Sequence, residues 1–234
     1  MNIHSFIIHR FKDLRWRWPI RTRAKSNDKY QRILEAAVKV FAKQGFYGST
    51  IAQIAREAGV ADGTIYLYFK NKDDILVQFF EFKTKQVFDR FQKIVSKSDN
   101  ALEKLTQLIR RHLNEFERDR NMAVVYQSET RRNSPLVKEQ IRQMSKMYLD
   151  IVAEIVEQGQ VEGCFRKDLY LGLVKRYILG AVEEVISTWI RSGGKYDLVA
   201  MADPLVDLLI RGIGKNESST LSIARDSQTN NLGE

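Results

Sequence analysis

Residues 50–69 read TIAQIAREAGVADGTIYLYF, and this stretch decides the fold. Thr50 and Gln53 have the spacing of a capping box, in which each side chain satisfies a backbone N–H at the start of a helix. Alanines in the first half allow two helices to cross closely, and Gly59 permits the sharp turn between them. The pattern therefore predicts a helix, a tight turn and a second helix whose N-terminal residues are free to enter a DNA major groove.

The second helix of this motif carries side chains suited to DNA. Gly63 lets the backbone approach closely, and the hydroxyls of Thr64 and Tyr66 suit phosphate oxygens. Tyr68 can reach a base edge or a thymine methyl, and Asp62 can accept from a cytosine amino group. An ordinary helical hairpin has the same spacing, so the motif alone leaves both interpretations open.

Helical spacing continues on both sides of the motif. A first helix is expected to end at Gly45, and Asn71 is placed to cap a long fourth helix. Further helices are expected at about 101–118, 121–132, 135–161, 168–192 and 203–213. No segment alternates as a strand would, and the chain has only 3 prolines and 13 glycines. The sequence predicts an all-α protein of about nine helices.

The net charge of +9 is unevenly distributed, because residues 1–30 hold eight Lys or Arg against two Asp. Residues 1–26 lack a sustained helical period, so we expect a disordered basic arm, with Arg21, Arg23 and Lys25 available to DNA phosphates. Two alternatives are a solvated extension and a membrane-surface segment. The polar residues 215–234 are also expected to be disordered.

Several classes of protein are disfavoured by composition. One cysteine excludes an internal disulfide framework, and three histidines leave little for a metal centre. No Ser/His/Asp set and no glycine-rich phosphate loop is present, so we expect no enzyme activity, no cofactor and no bound metal. No apolar run is long enough to span a bilayer, which predicts a cytoplasmic protein without stable membrane association.

Residues 59–76, GVADGTIYLYFKNKDDIL, resemble the TetR family of bacterial transcriptional repressors. Earlier residues share the resemblance: Ala36, Ala37, Phe41, Gly45, Phe46, Thr50 and Ile51. It implies a three-helix DNA-binding domain over 27–72 and a helical ligand-binding and dimerisation domain over 73–214. It also implies a homodimer on a palindromic double-stranded operator.

The resemblance assigns roles within the motif. Thr50, Thr64, Tyr66 and Lys72 match phosphate-contacting positions of the family, and Asp62, Gly63 and Tyr68 match base-reading positions. The chain departs from the family at Ala61, where many members have a serine N-cap, and in its long N-terminal extension.

Residues 123–131, 179–189 and 195–200 resemble the FadR-type branch of the family. That resemblance implies a repressor of fatty acid degradation genes that a long-chain acyl-CoA releases from DNA. The alternative is a TetR-type repressor that responds to another hydrophobic ligand or a drug.

An acyl chain needs an apolar tunnel, and the CoA head needs cations at its rim. The tunnel candidates are Phe82, Val125, Tyr126, Leu149, Ile155, Tyr177, Ala181 and Val185. Arg131, in a basic cluster with Arg132, Lys138 and Arg142, is the candidate for the CoA phosphates. Each apolar residue alone fits a core position equally well, and the basic cluster also fits a solvated face.

The last two helices carry apolar stripes that are expected to form a four-helix bundle across a two-fold axis. These stripes are Leu169, Leu173 and Tyr177, followed by Leu205, Leu208 and Leu209.

Overall fold

The computed structural model describes residues 27–213 and contains nine α-helices and no strand within that range. The helices are α1 Asn27–Gln44, α2 Ile51–Ala58, α3 Asp62–Tyr66, α4 Lys72–Val95, α5 Ala101–Arg118, α6 Arg120–Arg131, α7 Lys138–Glu162, α8 Leu171–Arg191 and α9 Ala202–Ile213. One turn of 3-10 helix, Val199–Met201, precedes α9. The expected all-α fold is confirmed. The basic arm over 1–26 and the tail over 215–234 lie outside the described residues.

Three helix ends in and beside the motif have the capping contacts that the sequence predicts. Thr50 Oγ1 accepts a hydrogen bond from the Gln53 backbone N–H at 3.3 Å, and Gln53 Oε1 accepts from the Thr50 N–H at 2.8 Å. Gly59 ends α2 with a φ of 64°, in the left-handed region that favours glycine. Asn71 caps α4 by accepting from the Asp74 N–H at 2.8 Å.

Two helices begin later than expected because polar contacts shape the residues before them. The backbone N–H of Val137 donates to the Ser134 carbonyl, so a turn precedes α7. Arg166 pairs with Asp168 at 2.7 Å, which fixes a loop before α8. The sequence predicts a helix from about Asp62 to Phe69, but α3 ends at Tyr66.

Helices α1 to α3 enclose a small core of their own. Ile33, Ile54, Ile65 and Phe69 are fully or almost fully buried, and they come from all three helices and the turn after them. Burial of apolar side chains is the main term that holds such short helices in place. Helix α1 also packs against α4 and α6, which joins this unit to the rest of the chain.

Helices α4 to α9 form the larger unit, with α5 at its centre. Helix α5 packs against α4, α6, α7, α8 and α9, and Leu105, Leu108 and Ile109 on it are completely buried. None of the helices between residues 27 and 213 is long and apolar enough to cross a membrane.

Candidate DNA-binding surface and effector cavity

The N-terminal ends of α2 and α3 present most of the expected DNA-contacting residues to solvent. Thr50, Asp62 and Gly63 are exposed, Thr64 is half-buried, and Tyr66 has 59% of its surface exposed. The helix-turn-helix geometry therefore places hydroxyls and one glycine backbone on an open face. Such groups are suited to phosphate oxygens and to close approach of a groove.

The entry to α3 differs from an ordinary helix N-terminus. Ala61 occupies the N-cap position and makes no side-chain hydrogen bond. Asp62 in the first turn supplies a negative charge at the positive end of the helix. Tyr68 lies beyond the end of α3, is half-buried and packs beside Phe69, with ring centres 6.4 Å apart.

The structure gives Lys72 a set of internal partners. Its ammonium donates to the carbonyl oxygens of Phe46 and Ser49, both at 2.8 Å, and lies 3.4 Å from that of Tyr47. The same nitrogen lies 4.6 Å from the centre of the Phe46 ring. Lys72 therefore holds the loop between α1 and α2 against the start of α4.

Tyr30 on α1 connects the DNA-binding helices to α4. Its ring stacks on Phe69 with centres 5.2 Å apart and lies edge-on to Phe82 at 6.2 Å. Its hydroxyl donates to Gln78 at 3.0 Å. Burial, reinforced by the nearby carboxylate of Glu81, raises the pKa of Tyr30 to about 12. Phe82 therefore belongs to this junction.

A largely apolar cavity lies between α4, α5, α6, α7 and α8. Its lining residues are Phe79, Phe80, Lys83, Thr84, Val87, Phe88, Phe91, His112, Phe116, Met122, Tyr126, Met144, Ser145, Tyr148, Leu179 and Glu183. The lining residues on α4 run from Phe79 to Phe91, which are about 18 Å apart along the helix axis. The volume of the cavity is about 50 Å³.

Seven polar side chains interrupt the apolar wall of the cavity: Lys83, Thr84, His112, Tyr126, Ser145, Tyr148 and Glu183. The Tyr126 hydroxyl donates to Glu183 Oε1 at 3.2 Å. Burial raises the pKa of Glu183, of Tyr126 and of Tyr148, and it lowers the pKa of His112 to about 3. At neutral pH both tyrosines are protonated and the His112 imidazole carries no charge.

Among the nine sequence-derived ligand residues, Tyr126 lies on the wall of this cavity and the other eight do not. Helical geometry explains the placement, because neighbours one or two positions apart face different directions. Val125 lies about 100° from Tyr126 around the axis of α6, and Ala181 and Val185 lie on a different face of α8 from Glu183. Leu149 stands beside Tyr148 in the same way.

The remaining candidates lie in three kinds of place. Ile155 is completely buried in the core, and Phe82 packs against Tyr30. Tyr177 has 53% of its surface exposed on α8. Arg131 is exposed and donates to the Ser187 hydroxyl at 2.6 Å, which joins α6 to α8.

Most residues of the cavity wall could not be predicted from the sequence. The phenylalanines of α4 recur at helical spacing, but this pattern is equally typical of an ordinary core stripe. His112 and Tyr148 come from helices far apart in the chain, and their rings meet with centres 4.8 Å apart. No short motif encodes that contact.

The basic cluster after α6 is not gathered at the cavity. Arg132 lies over the ring of Tyr47, with 5.7 Å between its guanidinium carbon and the ring centre. Arg142 is exposed and pairs with Glu139, which lowers the pKa of that carboxyl to about 2. Lys138 is exposed. Arg132 instead bridges α6 and the turn before α2.

Helices α8 and α9 expose an apolar face. Leu173 and Leu208 each have 65% of their surface exposed, and Tyr177 lies one turn from Leu173. Leu209, expected on the same stripe, is buried in the core. Isolated exposed leucines are common, but large exposed apolar side chains on two helices that pack against each other are typical of an interaction surface.

Two further expectations concern the remaining candidate sites. Arg21, Arg23 and Lys25 lie outside the described residues. Between residues 27 and 213, no cluster of three His, Cys, Asp or Glu side chains is arranged to hold a metal ion.

Comparison with known proteins agrees with this architecture. Residues 33–79 match the model of the bacterial regulatory proteins of the tetR family, and residues 80–212 match that of the C-terminal region of YsiA-like proteins. The fatty acid metabolism regulator protein of Bacillus subtilis is 39% identical over 185 residues, covering 79% of this chain and 95% of the relative.

Two solved structures are similar over nearly their whole length. FadR from Bacillus subtilis, in complex with stearoyl-CoA, has a TM-score of 0.73 and 38% identity, covering 79% of this chain and 99% of its own. The fatty acid degradation regulator FadR from Bacillus halodurans has a TM-score of 0.75 and 35% identity, covering 80% and 97%. With an exposed helix-turn-helix motif, an all-helical second unit and matches along both, the chain belongs to the tetR family of bacterial regulatory proteins.

Proposed function

We propose that this chain represses fatty acid degradation genes, that it binds a palindromic operator as a homodimer, and that a long-chain acyl-CoA releases it from DNA. The observation that carries the proposal is an exposed helix-turn-helix motif joined to an apolar cavity in one chain. Its likeness to a fatty acid regulator solved with stearoyl-CoA supports the choice of effector.

The DNA-binding role follows from the exposed face of α2 and α3. Thr50, Thr64 and Tyr66 offer hydroxyls to phosphates, and Asp62, Gly63 and Tyr68 are the proposed base-reading positions. Arg21, Arg23 and Lys25 of the basic arm add phosphate contacts. Cationic arms beside a helix-turn-helix strengthen binding without reading sequence.

The effector role follows from the cavity. Its long apolar wall along α4 suits an acyl chain, and a hydrophobic wall with a few polar groups is typical of ligand sites. The cavity volume of about 50 Å³ is about a third of the ~150 Å³ of a cavity that holds benzene. A stearoyl chain is far larger, so its entry has to move the surrounding helices apart.

Two helices can transmit that movement to the DNA-binding unit. Helix α4 begins at Lys72, which donates to the loop after α1, and it lines the cavity from Phe79 to Phe91. Helix α6 carries Tyr126 on the cavity wall and is followed by Arg132, which lies over Tyr47. Because α1 packs against both helices, widening the cavity shifts the helix-turn-helix. By thermodynamic linkage, operator DNA must weaken effector binding by the same factor.

The proposed homodimer uses the apolar face of α8 and α9. Leu173, Tyr177 and Leu208 would be covered by the same residues of a second copy, which is the self-complementary contact of a two-fold dimer. Such a dimer would place the two recognition helices about 34–36 Å apart, one turn of DNA.

A gel-shift titration with the operator tests the proposal. Stearoyl-CoA is expected to release the DNA, while CoA alone and free stearate are expected to do so poorly. Tyr66→Ala should lose DNA binding yet keep stearoyl-CoA binding, which separates the two sites. Release by unrelated hydrophobic drugs, with no response to any acyl-CoA, would favour the alternative effector class and overturn the acyl-CoA assignment.

A further inference from the structure

Two polar side chains in the cavity wall have atoms without a hydrogen-bond partner. They are the Nδ1 atom of His112 and the hydroxyl of Tyr148, both fully buried atoms in residues of low exposure. The two rings are in contact, with centres 4.8 Å apart, and Phe91 packs against both. Both residues line the same cavity.

Unpartnered buried polar atoms reduce stability, because they lose hydrogen bonds to water and gain none in return. Phenylalanine side chains pack around the pair, since Phe91 contacts both rings and Phe116 contacts the ring of His112. A histidine and a tyrosine among these rings therefore need a partner that the protein itself does not supply.

The charge state of the pair restricts the chemistry of that partner. Burial lowers the pKa of His112 to about 3, so its imidazole is neutral at neutral pH, and Tyr148 keeps its proton. The one cation on the wall, Lys83, is paired with Asp119 at 2.7 Å. Glu183 adds a carboxyl to the same wall. This environment does not stabilise a carboxylate or a phosphate, but it can donate to a neutral oxygen.

We propose that His112 and Tyr148 form a hydrogen-bonding site for a neutral carbonyl or hydroxyl oxygen carried by the acyl part of the effector. This inference rests on the proposed acyl-CoA function and names the chemical group that the cavity recognises. The Tyr148 hydroxyl donates to the oxygen, and the neutral imidazole donates to a carbonyl or accepts from a hydroxyl. The site thereby favours an esterified acyl group over a free fatty acid.

The oxygen has two possible sources in an acyl-CoA: the thioester carbonyl, or a hydroxyl further along the chain. Three ligands separate them: stearoyl-CoA, its thioether analogue S-octadecyl-CoA, which lacks the carbonyl oxygen, and 12-hydroxystearoyl-CoA. Their dissociation constants are measured by calorimetry with the full-length protein and with Tyr148→Phe, which removes only the hydroxyl.

We expect Tyr148→Phe to weaken the oxygen-bearing ligand about tenfold and to leave S-octadecyl-CoA unchanged. If the thioester is the source, stearoyl-CoA shows the loss. If a chain hydroxyl is the source, Tyr148→Phe leaves the affinities for stearoyl-CoA and its thioether unchanged. Only the affinity for 12-hydroxystearoyl-CoA then falls. An equal loss for all three ligands, or no loss for any, overturns the proposal. Failure of all three to bind the wild-type protein overturns the acyl-CoA function itself.

Thermal unfolding without ligand supplies an independent readout. Because the Tyr148 hydroxyl has no partner, Tyr148→Phe is expected to keep or raise the melting temperature. Tyr126→Phe is the matched control on the same wall, since its hydroxyl is bonded to Glu183, and it is expected to lower the melting temperature. A decrease for Tyr148→Phe as large as for Tyr126→Phe would show that the hydroxyl is already satisfied, and would overturn the proposal.

Discussion

The ammonium nitrogen of Lys72 lies 2.8 Å from the carbonyl oxygen of Phe46 and 4.6 Å from the centre of its ring. One side chain at the start of α4 thus contacts both the backbone and the aromatic face of the loop after α1. Because Ser49 in the same loop also accepts from Lys72, the position of the α2 N-terminus depends on the start of α4. This relationship ties the DNA-binding surface mechanically to the helix that lines the cavity.

Lys72→Met is expected to destabilise the protein by about 1–2 kcal/mol, because it leaves carbonyl oxygens without a charged donor. Operator affinity should fall, while the slope of log affinity against log salt should stay unchanged, since the three N–H groups already face carbonyls. Denaturant unfolding measures the stability, and operator binding at several salt concentrations measures the affinity and its salt slope. Lys70→Met, at an exposed neighbour, is the control for stability. A slope reduced by about 0.9 would instead assign Lys72 to a phosphate, as the family resemblance implies.

Gly63→Ala is expected to separate folding from DNA binding. A Cβ at this position meets no atom within 4 Å, so stability should hold or rise by about 0.5–1 kcal/mol. Operator affinity should fall at least about tenfold, because the added methyl blocks close approach of α3 to the groove.

Ala61→Ser serves as its matched control on the same turn. A serine there can supply the missing N-cap hydrogen bond and should raise stability by about 1 kcal/mol with operator binding retained. If Gly63→Ala and Ala61→Ser bind operator equally well, Gly63 does not lie at the DNA interface.

Leu173→Glu and Leu208→Glu are expected to convert the proposed dimer into a folded monomer. Both side chains are largely exposed in the single chain, so a charge there costs little until a second copy covers it. Light scattering after size-exclusion chromatography measures the molar mass of each variant in solution. Leu102→Glu, at an exposed leucine on α5, should leave the mass unchanged. Dimers in all three variants would place the interface elsewhere.

Acid is expected to destabilise the protein through His112. Its pKa is lowered from 6.5 to about 3 by burial, so between these values the unfolded chain binds a proton that the folded chain does not. Stability should therefore be complete above pH 6.5 and fall by about 1.4 kcal/mol per pH unit below it.

Denaturant titrations at several pH values measure this dependence. His112→Phe should remove that component of the slope, whereas Tyr148→Phe should retain it. A slope between pH 4 and 6 that is identical in wild type and His112→Phe would mean that His112 does not titrate as its burial requires.

The basic arm is expected to contribute to DNA binding through charge alone. Replacing Arg21, Arg23 and Lys25 by Gln should reduce the salt slope by about 2.7 if each contacts one phosphate. The preference for operator over random DNA should change little, because phosphate contacts carry no sequence information. A slope equal to that of the wild type would show that the arm does not touch DNA.

Much of the fold could be predicted from the sequence because its signals are local. The capping box at Thr50, the left-handed turn at Gly59 and the Asn71 cap each depend on residues within a few positions of one another. The identity of the helix-turn-helix and the exposed character of Asp62, Gly63 and Tyr66 follow from the same short stretch.

The apolar cavity, in contrast, depends on the tertiary structure and could not be predicted from the sequence. It draws residues from five helices, and a helical period shows that a face is apolar without showing what that face meets. Tyr126 was predicted for the ligand site and lies on the cavity wall, but its neighbour Val125 faces away. Lys72 acquired its carbonyl partners only because α4 folds back beside the loop after α1.

The sequence by itself therefore determined an all-helical chain with a DNA-binding motif, since hydrogen bonds within a helix and its caps are encoded by adjacent residues. Only the packing of α5 against α7 brought His112 to Tyr148, and it left a polar atom of each side chain buried without a partner. The physical reason is that burial and hydrogen-bond satisfaction are properties of surroundings assembled from distant segments, which no local pattern specifies.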